Sequence, residues 1–326
     1  YIFLMIEFCK FKIYTNKKLI LRISLFPMSF NYKKMKHFPP SELIINPDGS
    51  IYHLNLKPEQ LAKNIITVGD PDRVPEVSKY FDSIEYKIQK REFVTHTGEL
   101  NGTRITVIST GIGTDNIDIV MNELDALVNI DFVTRTEKEV LTSLNIIRIG
   151  TSGSMQKDIP VNTLLVSKYG IGIDGLLHFY DYKNNADEHM TFLHFMEKMG
   201  SEINFPIRPY IASASSDLLK KLAPDFLKGI TLTCPGFYAP QGRILRGDIS
   251  VPNLIERLAT FSYNNLRCTN FEMETAGIYG LSNIFGHQAI SFNAILANRI
   301  TNEFSTNPKA IVEKLIETVL DRVSKL

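Results

Sequence analysis

The residues of this chain best equipped for chemistry are charged groups set beside glycines. Arg148-Ile149-Gly150-Thr151-Ser152-Gly153 follows an apolar run, Leu144-Asn145-Ile146-Ile147, that reads as a buried strand. A strand running into glycines and small hydroxyls predicts a turn at its carboxyl end, where backbone N–H groups line the crevice in which open α/β sheets bind ligands. An arginine beside those donors suits an anion, because guanidinium forks onto carboxylate or phosphate oxygens. A second such place is Gly69-Asp70-Pro71-Asp72-Arg73, after the β-branched Asn64-Ile65-Ile66-Thr67-Val68. Here a helix is expected to start with Asp72 as N-cap, placing Arg73 in its first turn. Either motif alone is ordinary turn chemistry. Two further groups carry chemistry: Phe237-Tyr238-Ala239-Pro240-Gln241-Gly242-Arg243, with an aromatic pair and a Gln-x-Arg, and Phe271-Glu272-Met273-Glu274, opening a helix. Glu272 and Glu274 point differently unless the first lies before that helix.

These groups need a scaffold, and the pattern around them supplies one. Residues 83–109 read as a β-rich meander with Asn101-Gly102 as a hairpin turn. The meander ends in Gly111-Ile112-Gly113, followed by a helix over residues 114–128. A dinucleotide fingerprint is rejected there, since Asn116 stands where the third glycine belongs, and the loop is assigned to the same crevice. Strands are predicted at 163–166, 208–213 and 289–296, with one helix at 187–199 and another opened by residues 271–277 and running to about Phe285. The stripe Ile311, Leu315, Val319, Val323 with Val312, Ile316 and Leu320 marks an amphipathic C-terminal helix that packs on the core. Strands alternating with helices predict α/β: a single domain with a mixed central β-sheet flanked by helices.

Composition narrows the function. The chain has 326 residues, 44% hydrophobic and 22% charged, enough for one large domain. A net charge of +1 and a pI of about 7.8 provide no global field for nucleic acid or membrane. The three cysteines, Cys9, Cys234 and Cys268, have no C-x-x-C spacing. A disulfide framework or zinc site is therefore not expected, and a reducing, cytoplasmic setting fits. The seven histidines form no H-E-x-x-H or close cluster, so no metal is called for. Residues 1–34 mix apolar residues with lysines, and their apolar runs are too short to span a bilayer. We expect them to be a non-native or poorly ordered extension, with the working domain over 35–326 starting near Met28 or Met35; an interfacial membrane segment is the weaker alternative.

Taken in order, Gly69-Asp70-Pro71-Asp72-Arg73, Arg91-Glu92-Phe93, Ser109-Thr110-Gly111-Ile112-Gly113, Arg148-Ile149-Gly150-Thr151-Ser152-Gly153, Phe271-Glu272-Met273-Glu274 and Asn298-Arg299 resemble the nucleoside phosphorylase superfamily. From about His53 to the C-terminus the chain is most similar to the uridine phosphorylases. The resemblance implies a pentosyltransferase that cleaves a pyrimidine ribonucleoside with phosphate, giving uracil and ribose 1-phosphate, in nucleoside catabolism and pyrimidine salvage. It implies phosphate binding by Gly69, Arg73, Arg148 and Thr151, with Arg91 supplied by the neighbouring subunit. The ribose would meet Glu274, Met273 and His53, the histidine also coming from the neighbour and reaching the 5′-hydroxyl. The base would meet Phe237, Gln241 and Arg243, with Glu272 and Arg299 supporting. Purine-cleaving relatives usually carry an aspartate near the position of Asn298, so Asn298-Arg299 favours a pyrimidine. No organic cofactor or metal is expected; phosphate is a co-substrate, and a monovalent cation at the subunit contact near Glu92 is a possibility that competes with a plain salt bridge. Sites shared between subunits imply a homo-oligomer, a dimer at least, and a hexamer built as a trimer of dimers. The alternatives are a purine phosphorylase or nucleosidase of the same superfamily, or a non-catalytic nucleoside-binding protein.

Four departures from the uridine enzymes stand out. Lys90 precedes Arg91 where histidine is common, and the base loop has Ala239-Pro240 and Gly242 at positions that usually differ. About twenty residues before Phe237 read as an insertion. The helical region around residues 131–142 reads as longer than usual.

Overall fold

The computed structural model describes residues 36–200 and 202–326. The extension anticipated over residues 1–34, and Cys9 within it, lie outside the described residues. In chain order the elements are β1 (Asn64–Val68), α1 (Arg73–Ser78), β2 (Ser83–Lys90), β3 (Phe93–Leu100), β4 (Thr103–Ser109) and α2 (Thr114–Asn129). There follow β5 (Ile130–Asp131), β6 (Thr136–Glu137), β7 (Asn145–Ser154), β8 (Leu164–Gly172), α3 (Ala186–Met199), β9 (Tyr210–Ser213), α4 (Ser216–Leu222) and β10 (Leu227–Thr233). The chain ends with α5 (Leu254–Ala259), β11 (Ser262–Tyr263), β12 (Leu266–Glu272), α6 (Thr275–Phe285), β13 (Gln288–Asn298), β14 (Glu303–Phe304) and α7 (Pro308–Val323).

The aliphatic and β-branched runs do what their pattern predicts: β1, β4, β7 and β13 are mostly buried, with polar residues such as Arg148 and Asn293 set among the apolar ones. The central sheet runs β11-β12-β10-β8-β13-β7-β1-β4-β3-β2 and is mixed, as expected. β4, β1, β7 and β13 are mutually parallel, so their carboxyl ends open on one side. An extra antiparallel contact, Phe271 against Gly153 and Asn270 against Ser154, joins β12 back to β7. It closes the circuit β7-β13-β8-β10-β12 into a small barrel. The Asn270 amide donates to Ser152 Oγ at 3.0 Å across this closure. α2 packs on α6, which lies against β8, β9, β10 and β13, while α7 packs on β7 and β13. A large apolar core holds Ile65, Ile108, Ile147, Leu124, Tyr279 and Leu315. A second, with Ile171, Phe195, Leu232, Leu258 and Phe271, fills the region around α3, α5 and β12.

Four local expectations are corrected. Arg148 to Gly153 is no turn, because β7 stays extended through Ser154, held by β13 on one side and by β12 at its end. The segment before Phe237 is no surface addition either: it is α4 and β10, and β10 lies between β8 and β12 with its last five residues buried. Residues 131–142 form no lengthened helix; α2 ends at Asn129 and the small β5–β6 hairpin follows. Asp72 is the residue before α1, but its side chain caps nothing. Instead the Asp70 carboxylate accepts the Asp72 N–H at 3.0 Å.

Candidate active site

Four strand ends converge on a cavity of about 810 Å³. β1 supplies Gly69 and, through the start of α1, Arg73; β7 supplies Arg148 and Thr151; the β12–α6 junction supplies Glu272, Met273 and Glu274. The loop after β10 adds Phe237, Gln241 and Arg243 to the same wall. Phosphate-type, ribose-type and base-type groups named from the sequence thus share one enclosure.

Its polar centre is Arg148, a strand residue almost wholly buried at 6% exposure. Its Nη2 lies 2.6 Å from Glu274 Oε2 and 3.1 Å from Glu272 Oε2, and Nη1 lies 3.2 Å from Asn293 Oδ1. The guanidinium folds back over its own strand so closely that a Cβ on Gly150 would sit 1.8 Å from Nη1. A side chain there would force the guanidinium to move from its carboxylate partners. Glu274 is fixed from both sides, by Arg148 and by the Gly113 N–H at 2.9 Å. Gly113 turns the chain into α2 with φ of 96°, a left-handed angle that glycine adopts without strain.

Glu272 sits at the end of β12, before α6, which resolves how two carboxylates two apart reach one arginine. Rather than being free for a base, its oxygens accept from Thr233 Oγ1 at 2.6 Å, from the Thr275 N–H and from the Glu274 N–H. It caps α6 with a carboxylate, which the positive end of a helix favours.

Burial sets the electrostatics. It disfavours charge on Arg148, but the adjacent Glu272 and Glu274 outweigh it and hold the proton more firmly than in an ordinary guanidinium. Burial raises the pKa of Glu274; Arg148 opposes this, Glu272 adds to it, and the net direction is upward. For Arg73, burial lowers the pKa, with Asp70 opposing and Arg148 adding to the decrease. Across the lining, Arg73, Arg148 and Arg243 stand against Asp70, Glu92, Glu272 and Glu274, a formal charge of −1.

At the other end of the cavity, Phe237 is about half exposed and the Arg243 guanidinium lies over its ring, 3.7 Å from the centroid. Arg243 Nη1 donates to Gln241 Oε1 at 2.6 Å, which orients that amide and leaves its NH₂ toward other partners. Burial, then the neighbouring Arg299, lower Arg243 to about 10. Arg299 is outside the lining; it donates to the Gln241 carbonyl at 3.0 Å and so carries the loop from behind. Asn298 is turned away altogether: its NH₂ serves the Gln156 and Ile159 carbonyls and its oxygen accepts from Ile300 and Thr301 N–H groups.

Arg91 and His53 are not brought into this cavity within one chain. Arg91 is exposed on the two-residue β2–β3 turn, with φ of 55°. His53 borders a different groove beside α2. Yet the two share one surface, because Tyr52 lies between them: its ring is edge-on to His53 at 4.7 Å and 5.9 Å from the Arg91 guanidinium. Glu92 does reach the cavity wall, beside Gly111.

Sequence reasoning missed Asn293 and Thr233. Both were detectable in principle as polar residues inside buried strands, where a side-chain donor or acceptor must have a partner.

Residues 63–325 match the sequence model of the phosphorylase superfamily. The chain is 30% identical over 279 residues to the uridine phosphorylase of Thermococcus kodakarensis, covering 83% of this chain and 85% of that one. To the uridine phosphorylase of Haemophilus influenzae it is 28% identical over 284 residues, covering 85% and 98%. The structure resembles that of a Trypanosoma brucei nucleoside phosphorylase described as showing uridine phosphorylase activity, with a TM-score of 0.80, 30% identity, and 87% and 100% of the two chains covered. The chain belongs to the phosphorylase superfamily. Within it, relatives that carry the uridine phosphorylase name recur in both the sequence and the structure comparisons.

Proposed function

We propose that the chain is a pentosyltransferase that cleaves uridine with inorganic phosphate, yielding uracil and ribose 1-phosphate. The observation that carries this reading is one cavity holding Arg73 and Arg148 beside Glu274, with Gln241 and Arg243 against Phe237 at its far end. Phosphate bound by the arginines lies next to the sugar, so an oxygen of it attacks C1′ as the bond from C1′ to the base nitrogen breaks. The bonding pair leaves with the base. Gln241 and Arg243 donate to the uracil oxygens as that charge develops, and uracil then takes a proton from water. Glu274 accepts from the ribose hydroxyls, and its charge suits the cationic character of the sugar at the transition state. Thr151 and the Gly69 N–H complete the phosphate contacts, and Met273 packs on the sugar. Asn298, an amide bound wholly to backbone, offers no acid for a purine nitrogen.

The formal charge of −1 on the cavity's lining favours a further cation for a phosphate dianion. Arg91 of a neighbouring copy is that cation in this reading, and His53 beside it meets the 5′-hydroxyl. The assembly is then a homo-oligomer, a dimer at least, in which each site is completed by its neighbour. A monovalent cation near Glu92, a trimer of dimers and a cytoplasmic setting belong to the same proposal. No described helix is long and apolar enough to cross a membrane.

The test is uracil release from uridine with and without inorganic phosphate, with inosine and thymidine in parallel. Phosphate-dependent release of uracil, with inosine inert, is the expected result. Hypoxanthine release from inosine overturns the base assignment, phosphate-independent cleavage makes the chain a nucleosidase, and no cleavage of any substrate removes the enzyme reading.

A further inference from the structure

Glu123 is a carboxylate that the proposed function does not use. Glu123 lies in α2, outside the cavity, with its side chain 12% exposed. It spends both oxygens on two consecutive residues, His53 and Leu54. Oε2 accepts the Leu54 N–H at 2.8 Å, both oxygens lie 3.0 Å from the His53 backbone nitrogen, and Oε1 lies 2.6 Å from His53 Nδ1. Two backbone amides would account for a structural role. The bond to the ring does more, because an ionised carboxylate only accepts, so Nδ1 must donate to it. In the neutral imidazole the proton is then fixed on Nδ1, and Nε2 is left as an acceptor.

The same turn is held from the opposite side. Lys90 Nζ donates to the Tyr52 carbonyl and lies 4.9 Å from the Tyr52 ring centroid, with Asn46 Oδ1 3.4 Å away. Leu54 beneath is fully buried. His53 therefore stands on a turn gripped by an anion on one side and a cation on the other.

We propose that Glu123 is a positioning residue for the reaction: it fixes the tautomer and aim of His53 so that Nε2 accepts the proton of the nucleoside 5′-hydroxyl in the neighbouring copy's site, with Lys90 bracing the turn. This rests on the proposed phosphorolysis of uridine. An unconstrained ring would spend part of its time with Nε2 protonated, as a competing donor, or rotated away. Lys90 thereby acquires a task at a position where histidine is common in the uridine enzymes: it braces the arm that carries His53.

The experiment compares uridine with 5′-deoxyuridine, which lacks the hydroxyl, using the full oligomeric chain and its Glu123→Gln and Glu123→Ala variants. The expected result is that the wild type prefers uridine and that both variants lower the ratio of the two kcat/KM values by about tenfold. Nitrogen-15 NMR of the imidazole gives a readout independent of turnover: His53 is protonated at Nδ1 in the wild type and becomes a tautomer mixture in Glu123→Gln. Equal loss on both substrates reduces Glu123 to a structural role and overturns the proposal. So does an unchanged ratio, or a wild-type ring protonated at Nε2. A wild type that releases no uracil refutes the functional reading itself and takes this proposal with it, and that failure is visible before any variant is made.

Discussion

Arg148 lies so tightly over Gly150 that an added methyl would have to displace it from Glu274, the residue it must hold. Gly150→Ala is therefore expected to raise the KM for phosphate and lower kcat/KM by at least about tenfold, as loss of a charged contact does; initial rates across a phosphate series check it. Glu274 gives a pH signature. Its pKa is raised in the fold, so protonation is favoured there, and this contributes stability at pH below the unfolded carboxylate's pKa that is lost as pH rises through the folded value. Activity is expected to run the opposite way, since the proposed ribose contact needs the carboxylate. The acid limb of kcat/KM should lie above the ordinary glutamate range and disappear from the profile of Glu274→Gln, whose rate falls about a hundredfold. A limb at ordinary carboxylate pH would contradict the upward shift.

Among the elements, the β12–α6 junction bears the most. Thr233 Oγ1 donates to Glu272 and accepts the Ala276 N–H at 2.9 Å, so one hydroxyl ties the end of β10 to the first turn of α6. Thr233→Val keeps the shape and removes both bonds, at an expected cost of about 1–3 kcal/mol, read as a lower midpoint in urea unfolding. Much of this level was legible. The Asn101-Gly102 hairpin signal within residues 83–109 marked the meander, and the 3.6-residue stripe marked α7. β7 past Arg148 was not legible, because Gly-Thr-Ser-Gly is turn chemistry locally. The strand is kept extended by β13 and β12, partners more than a hundred residues away in sequence. The segment before Phe237 misled for a different reason. Measured against relatives it looked added, while its own Ile230 and Leu232, facing a buried sheet, marked a strand. Within the site, charges beside glycines were readable, whereas Asn293 and Thr233 have no local motif and become visible only with their partners.

At the scale of the whole molecule, the proposed sharing of sites between copies makes a prediction that needs no disruption of the proposed assembly. Arg91→Ala spoils what a copy gives its neighbour, and Glu274→Ala spoils its own cavity. Each variant alone should be nearly inactive. Mixed and reassorted at random, half the dimers carry one whole site, so activity should recover to about a quarter of wild type. No recovery from a mixture verified to contain heterodimers would place Arg91 outside the site.

α2 then takes on a further meaning. At its start the Gly113 N–H holds Glu274 of its own cavity, and ten residues on, Glu123 holds the histidine proposed to serve the cavity next door. At about 1.5 Å per residue and 100° per residue, those two grips are a fixed distance and a fixed rotation apart. On the proposed assembly, the helix works as a ruler between two reaction centres. Its sequence can drift wherever its faces stay apolar or polar, but its residue count between Gly113 and Glu123 cannot, since one residue more or fewer would swing Glu123 off His53 while leaving Glu274 in place.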